Sequence, residues 1–180
     1  IYLNQGRGFA QGVELFLKHE ASERFFGWLS YAYSLSRRQD KPSEPERLYS
    51  YDQTHVVTVC GSYKLTPTWE IGAKWHYSTG TPYTPVIGSA HNYDPKTGHI
   101  RYFPIYGEIN SKRIPPFHRL DVSIHKQFIF ERWKISTYLE ILNVYNRKNV
   151  LTTDYSEDYS KDENIYQLPI IPYFGIKMEF

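Results

Sequence analysis

Three groups of side chains in this 180-residue sequence have the types that chemistry uses. His118, Arg119 and Asp121 place an imidazole, a guanidinium and a carboxylate close together. Residues two apart on an extended chain share a face, so Arg119 and Asp121 can pair or join a polar network. General acid–base work would also need a third partner and a pocket. The sequence offers neither, so the trio reads as structural and the chain as no enzyme. His91 and His99, with Tyr93, Asp94 and Tyr102, have metal-ligand types, but their spacing fits no rigid ligand template. They read as solvated, with neither metal nor cofactor expected. Asp154, Glu157, Asp158, Asp162 and Glu163, interleaved with Tyr155 and Tyr159, make an acidic segment. It lacks the ligand order and turn glycine of an EF-hand and reads as a solvated loop. Cys60 is the single cysteine, too few for an internal disulfide or a zinc site.

A fourth group could bind rather than react. Segment 80–117 holds Tyr83, Tyr93, Tyr102, Phe103, Tyr106 and Phe117, and is stiffened by Pro82, Pro85, Pro95, Pro104, Pro115 and Pro116. Long ordered connections commonly carry function. Tyr83, Tyr93, Tyr102 and Tyr106 are the candidates for stacking on a ligand, with packing of the loop on itself as the alternative.

The elements that must hold these groups are strands. Apolar residues make up 41% of the chain, the formal net charge is +2, and 17 Tyr, 10 Phe and 4 Trp enrich it in aromatics. That balance gives no sign of disorder or of strongly basic nucleic-acid binding. No run approaches 18 apolar residues, which excludes a helical membrane span but not a barrel, whose strands show lipid only every second side chain. Period-two alternation predicts seven strands, near 10–19, 25–36, 54–65, 69–79, 118–128, 133–144 and 170–180. They run to about 10–12 residues, the length of a tilted bilayer-spanning strand and longer than the usual soluble one. The connections 20–24, 37–53, 66–68, 80–117, 129–132 and 145–169 alternate strictly between short and long. Outer-membrane barrels have that asymmetry, with tight periplasmic turns and long outer loops.

Each strand divides into two faces. Tyr63, Trp69, Phe128, Trp133 and Phe180 lie on apolar faces at the short-turn ends, where a periplasmic aromatic girdle would sit. The opposite faces carry Glu14, Lys18, Glu70, Lys74, His76, Arg119, Asp121, His125, Lys134, Glu140, Lys177 and Glu179. Such charges suit a wet lumen, and equally the solvent face of a soluble sheet. Single-chain bacterial barrels close on an even strand number. Seven therefore implies either a missed strand in 99–106 or 145–155, or further chain upstream. The second is preferred, because Tyr2 and Leu3 resemble the end of an earlier element.

The terminal run Pro172–Phe180 ends on an aromatic, with Phe174, Ile176 and Met178 alternating back from it. It resembles the assembly signal of outer-membrane proteins, which implies docking on the barrel-assembly machinery by strand addition. Further segments resemble TonB-dependent receptors, in the family's order. They are Gly8-Phe9-Ala10-Gln11-Gly12-Val13-Glu14-Leu15, Trp28–Ser34, Tyr51-Asp52-Gln53-Thr54-His55, Thr79-Gly80-Thr81-Pro82-Tyr83-Thr84-Pro85, Pro115–Asp121, Tyr138–Val150 and Leu168–Pro172. This resemblance implies an all-β, antiparallel transmembrane barrel of about 22 strands, of which residues 1–180 would be the C-terminal part. The plug domain and TonB box would lie outside the chain. It further implies location in the bacterial outer membrane, contact with lipid, coupling to the TonB complex, and uptake of a scarce ligand such as a siderophore, cobalamin, another metal chelate, a glycan or a peptide. A passive porin-like channel is the first rival. A soluble β-rich binding module is the second, and an outer-membrane lipase the last.

Overall fold

Alternating β-branched and aromatic side chains favour extended backbone, and strands dominate the structure. The computed structural model describes residues 5–180; Tyr2 and Leu3, read above as the end of an earlier element, lie outside the described residues. In chain order the strands are β1 (Arg7–His19), β2 (Phe25–Gln39), β3 (Arg47–Leu48), β4 (His55–Thr66), β5 (Trp69–Ser78), β6 (Pro82–Tyr83), β7 (Val86–Tyr93), β8 (Ile100–Tyr106), β9 (Lys112–Arg113), β10 (Phe117–Ile129), β11 (Lys134–Leu142), β12 (Val150–Tyr155), β13 (Asp162–Tyr166) and β14 (Ile171–Glu179). The chain is all-β and antiparallel.

The seven long strands make one sheet in the order β1-β2-β4-β5-β10-β11-β14, and β3 adds to β2. It is a meander, and within this chain it stays open, with β1 and β14 as its edges. Register aligns the two faces across strands. Leu17, Leu29, Val59, Trp75 and Leu120 form one apolar row, and Phe25, Tyr63, Ile71, Ile124, Leu139 and Phe174 form another. On the other face Lys64, Glu70, His125 and Tyr138 line up, as do Cys60, Lys74 and Asp121. That face is not wholly polar, since Phe16 and Trp28 meet there at 6.0 Å.

The short turns close locally. Ser22 N–H donates to the Phe25 carbonyl at 2.9 Å, and Phe130 N–H to the Trp133 carbonyl at 2.9 Å. Thr66 Oγ1 accepts from Trp69 N–H at 3.1 Å, next to a bulge between Lys64 and Thr66.

The long connections are more ordered than the sequence suggests. Strands do occur at Ile100–Tyr106 and Val150–Tyr155, inside the two segments considered for a missed strand, but they pair away from the main sheet. β7 pairs with β8 and β12 with β13, as separate hairpins. β6 pairs with β9, joining the two ends of the connection from which the β7–β8 hairpin rises. The count of long strands therefore stays at seven.

Burial is inverted relative to a globular domain. Among the described Val, Leu, Ile, Met, Phe, Tyr and Trp side chains only Val150 is buried. The best-buried residues are polar, namely Asp52, Ser78, Asn110, Asn143 and Asn149, and they sit where long connections leave or rejoin the sheet. Three asparagines show why. Asn143 and Asn146 have φ values of 54° and 50°, a left-handed conformation that asparagine tolerates better than most residues. Asn143, 1% exposed, donates through Nδ2 to the Arg147 and Leu168 carbonyls at 2.9 and 3.3 Å and accepts Arg147 N–H at 3.0 Å. Asn146 Oδ1 accepts Ile170 N–H at 3.0 Å. Asn149 brackets the backbone of His118, accepting its N–H at 3.1 Å and donating to its carbonyl at 3.0 Å.

Asn143→Ala should strand buried carbonyls and remove the side-chain amide that makes asparagine tolerant of the left-handed conformation, costing about 2–4 kcal/mol. Chemical unfolding followed by tryptophan fluorescence reads this out. Asn143→Gly should recover the backbone part only, and equal stability of all three proteins would refute the account.

Candidate membrane-facing surface and outer-rim site

The apolar face carries aromatics at both ends. At the short-turn end Tyr63, Trp69, Phe128 and Trp133 are all exposed, and Phe180 completes the terminal run fully exposed. Phe174, Ile176 and Met178 of that run are exposed as well. Phe130 stacks on Trp133 with ring centres 4.0 Å apart. At the opposite end a second row, not singled out from the sequence, runs through Tyr31, Tyr33, His55, Tyr77, His118 and Tyr145. Tyr31 Oη and His55 Nδ1 share a hydrogen bond of 3.0 Å, Tyr145 Oη and His118 Nδ1 one of 2.7 Å, and Trp75 stacks with Tyr77. Pairing His118 with Tyr77 and Tyr31 with Val57 puts these groups on the apolar side. Phe25 to Tyr33, His55 to Tyr63 and Trp69 to Tyr77 are each eight residues apart. At ~3.3 Å per residue that is roughly 26 Å along a strand, or roughly 20 Å of height once strands tilt by about 40°.

His118, Arg119 and Asp121 separate by face. His118 belongs to the apolar-side row, whereas Arg119 Nε lies 2.8 Å from Asp121 on the other face. Asp121 Oδ1 also accepts Asn143 N–H at 2.9 Å. The H-R-L-D segment and the asparagine series are thus two halves of one clamp, holding the start of β10 against the exit from β11.

A second clamp ties the 40–54 connection to the 79–116 connection. Asp52, 1% exposed, accepts Ser36 N–H at 2.7 Å and the Thr54 hydroxyl at 3.1 Å, and pairs with Arg113. Arg113 Nη1 donates to the Asp52 and Gly80 carbonyls at 3.0 and 2.8 Å. A β-carbon on Gly80 would stand 1.7 Å from the Ile114 carbonyl oxygen, so glycine is what permits this approach. Asn110, at φ 57°, adds a further tie by donating to the Leu48 carbonyl at 2.8 Å. Burial works to raise the Asp52 pKa; the hydrogen bonds from Arg113, Ser36 and Thr54 outweigh it and hold the carboxyl below its ordinary value.

Above the clamps the two hairpins flank an open cleft of about 890 Å³. Its walls include His99, Arg101 and Tyr102 from one hairpin and Asp154, Tyr155 and Tyr159 from the other. Val86 N–H donates to Tyr155 Oη at 3.3 Å and links them. Tyr159 adopts φ 58° at its hairpin tip. Asp158 is held at a pKa of about 2 by the Ser156 and Ser160 hydroxyls.

The four candidate tyrosines do not converge. Tyr102 lines the cleft and meets His91 at 6.1 Å. Tyr93 and Tyr106 share its hairpin face by register but stand exposed. Tyr83 lies on the separate β6–β9 ribbon, where burial, then Tyr155 and Asp162, push its pKa up. Among the described residues no group of three or more His, Cys, Asp or Glu is placed to hold a metal ion. No family model, curated protein or solved structure matches the chain.

Because the folded pKa of Asp52 is depressed, its contribution is fully present above the unfolded value near ~3.9 and disappears as pH falls through the folded value. Asp52→Ala leaves Arg113 without its buried partner and should cost about 3–5 kcal/mol at neutral pH. Unfolding midpoints measured from pH 7 down to pH 2 should converge for wild type and variant. A gap that persists at the acid end would refute the clamp.

Proposed function

We propose that this chain is the C-terminal part of a transmembrane β-barrel in the bacterial outer membrane, belonging to an energy-coupled transporter of the TonB-dependent type. One observation carries the membrane half of this reading. The seven long strands form a single-layered sheet whose apolar face is covered by none of the described residues. The chain's accessible surface is 13496 Å², against about 9,100 Å² for a compact monomer of 21.3 kDa. A face of that size needs an apolar phase, since large bare apolar patches are rare on water-soluble monomers. The aromatic rows at both ends, the strand lengths and the gathering of every long connection at one end support lipid as that phase. Closing the open edges calls for additional strands, because lipid does not tolerate unpaired backbone.

The transporter half rests on the ordered motif resemblance and on two polar clamps that fix the bases of large outer hairpins. Uptake would draw a scarce ligand from the cell surface through this rim, with the plug and the TonB-binding segment supplied elsewhere in the protein.

Val59→Arg, on the apolar face midway between the rows, should cost about 2–4 kcal/mol in a bilayer, whereas Ser30→Arg on the wet face should cost under about 1 kcal/mol. Refolding titrations into lipid vesicles measure both. Purification of the folded protein without detergent would end the membrane reading. In planar bilayers the plugged full-length protein should show little steady conductance; a stable open pore would replace the transporter by a passive channel.

A further inference from the structure

One residue breaks the pattern of the apolar face. Between the two aromatic rows, Lys126 is the single Asp, Glu, Lys or Arg on that face among the described residues. Its face is fixed by pairing with Trp69 on one side and Thr137 on the other. A lysine turned to hydrocarbon is costly unless its ammonium reaches a polar level. Here the stem leads toward the short-turn rim. Nζ lies 4.8 Å from the Trp69 ring centre and 5.6 Å from that of Phe128, and donates to Thr68 Oγ1 at 2.9 Å. An ammonium has three donors, so capacity remains for an outside acceptor.

Beside it the face is recessed. Thr137 is small among larger neighbours, and its hydroxyl turns back to the Lys126 carbonyl at 3.3 Å. A groove of about 410 Å³ results, walled by Trp69, Ile124, Leu139, Phe174 and Ile176 with Lys126 alongside. We infer that this groove is a site for an anionic glycerophospholipid of the inner leaflet, one acyl chain lying over Thr137 and the phosphate on Lys126 Nζ. The charge argument selects this occupant: a lone cation beside an apolar trough, with no acidic side chain between the rows on the same face among the described residues, fits a molecule that joins a phosphate to a hydrocarbon chain. A second protein strand would satisfy the trough and leave the ammonium without a counter-charge. The inference rests on the membrane reading above.

Delipidated full-length protein in a neutral detergent is titrated with phosphatidylglycerol and followed by native mass spectrometry. Wild type should hold one lipid through repeated detergent exchange. Lys126→Gln should weaken binding about tenfold, the worth of one charge-assisted hydrogen bond, and Lys126→Arg should restore most of it. Thr137→Leu should fill the trough and abolish retention while leaving the fold intact, as judged by unchanged near-ultraviolet circular dichroism. Diacylglycerol, which has the chains but no phosphate, should bind no better than it does to Lys126→Gln. Equal retention by wild type and both loss variants, or equal binding of diacylglycerol and phosphatidylglycerol, would overturn the site while leaving insertion into vesicles untouched. A protein that needs neither detergent nor lipid would instead overturn the membrane reading beneath it.

Discussion

Every other feature of this protein follows from a sheet with one uncovered apolar face. Within a single layer side chains cannot gather into a core, because each strand offers half its residues to either side and no described element packs on them. Burial on the order of 25 cal/mol per Å² of apolar surface is the main force available to a folding chain. Here it is collected only if a second apolar body meets the face. The rows through Leu17 to Leu120 and Phe25 to Phe174 are continuous across strands, so the demand is for one extended contact and not for scattered ones.

The polar interior is the counterpart of that demand. With the apolar side chains committed to an outer surface, order within the chain is set by backbone pairing and by polar nodes. Asp52 with Arg113, and Asn143 with Asn149, bury groups that a globular core would exclude. Each is saturated, with no buried side-chain nitrogen or oxygen left without a partner among the described residues. A half-satisfied network would cost more than an apolar contact. These nodes all lie at the long-connection end, where backbone leaves the ladder and its carbonyls and N–H groups need new partners.

Much of this was legible in the sequence. Strict alternation located all seven long strands, because a strand with one apolar and one polar face cannot hide its period. The short–long rhythm of the connections held too, since an antiparallel meander must return at both ends. Alternation failed inside segment 80–117. The β7–β8 hairpin has a register shift between Val86 and Gly88, and Pro104 stands in β8, which argues against a strand in any one-dimensional reading. The outer aromatic row was missed because two of its members are histidines, which look polar in sequence and act here as rings against Tyr31 and Tyr145. Lys126 went unplaced for the opposite reason, as a charge on a face defined by its hydrophobes. The clamp between His118 and Asn149 spans 31 residues, and no local spacing announces it.

The two ends of the sheet differ in how firmly they are built, and that difference bears on function. Short turns are closed by neighbours in sequence, so that end of the sheet has little freedom. The hairpins at the other end are held at their bases by the clamps, and a hydrogen bond from Val86 N–H to Tyr155 Oη links them. Elements with few buried contacts open at low free energy. Neither Asp52 nor Asn143 lines the cleft between the hairpins that carry Tyr102 and Tyr159, so a change in hairpin separation would not have to break either clamp. Under the proposed reading, a wall fixed at its clamps and carrying two hairpins above them would suit capture at a surface, because a ligand between the hairpins would leave the registry of the sheet unchanged.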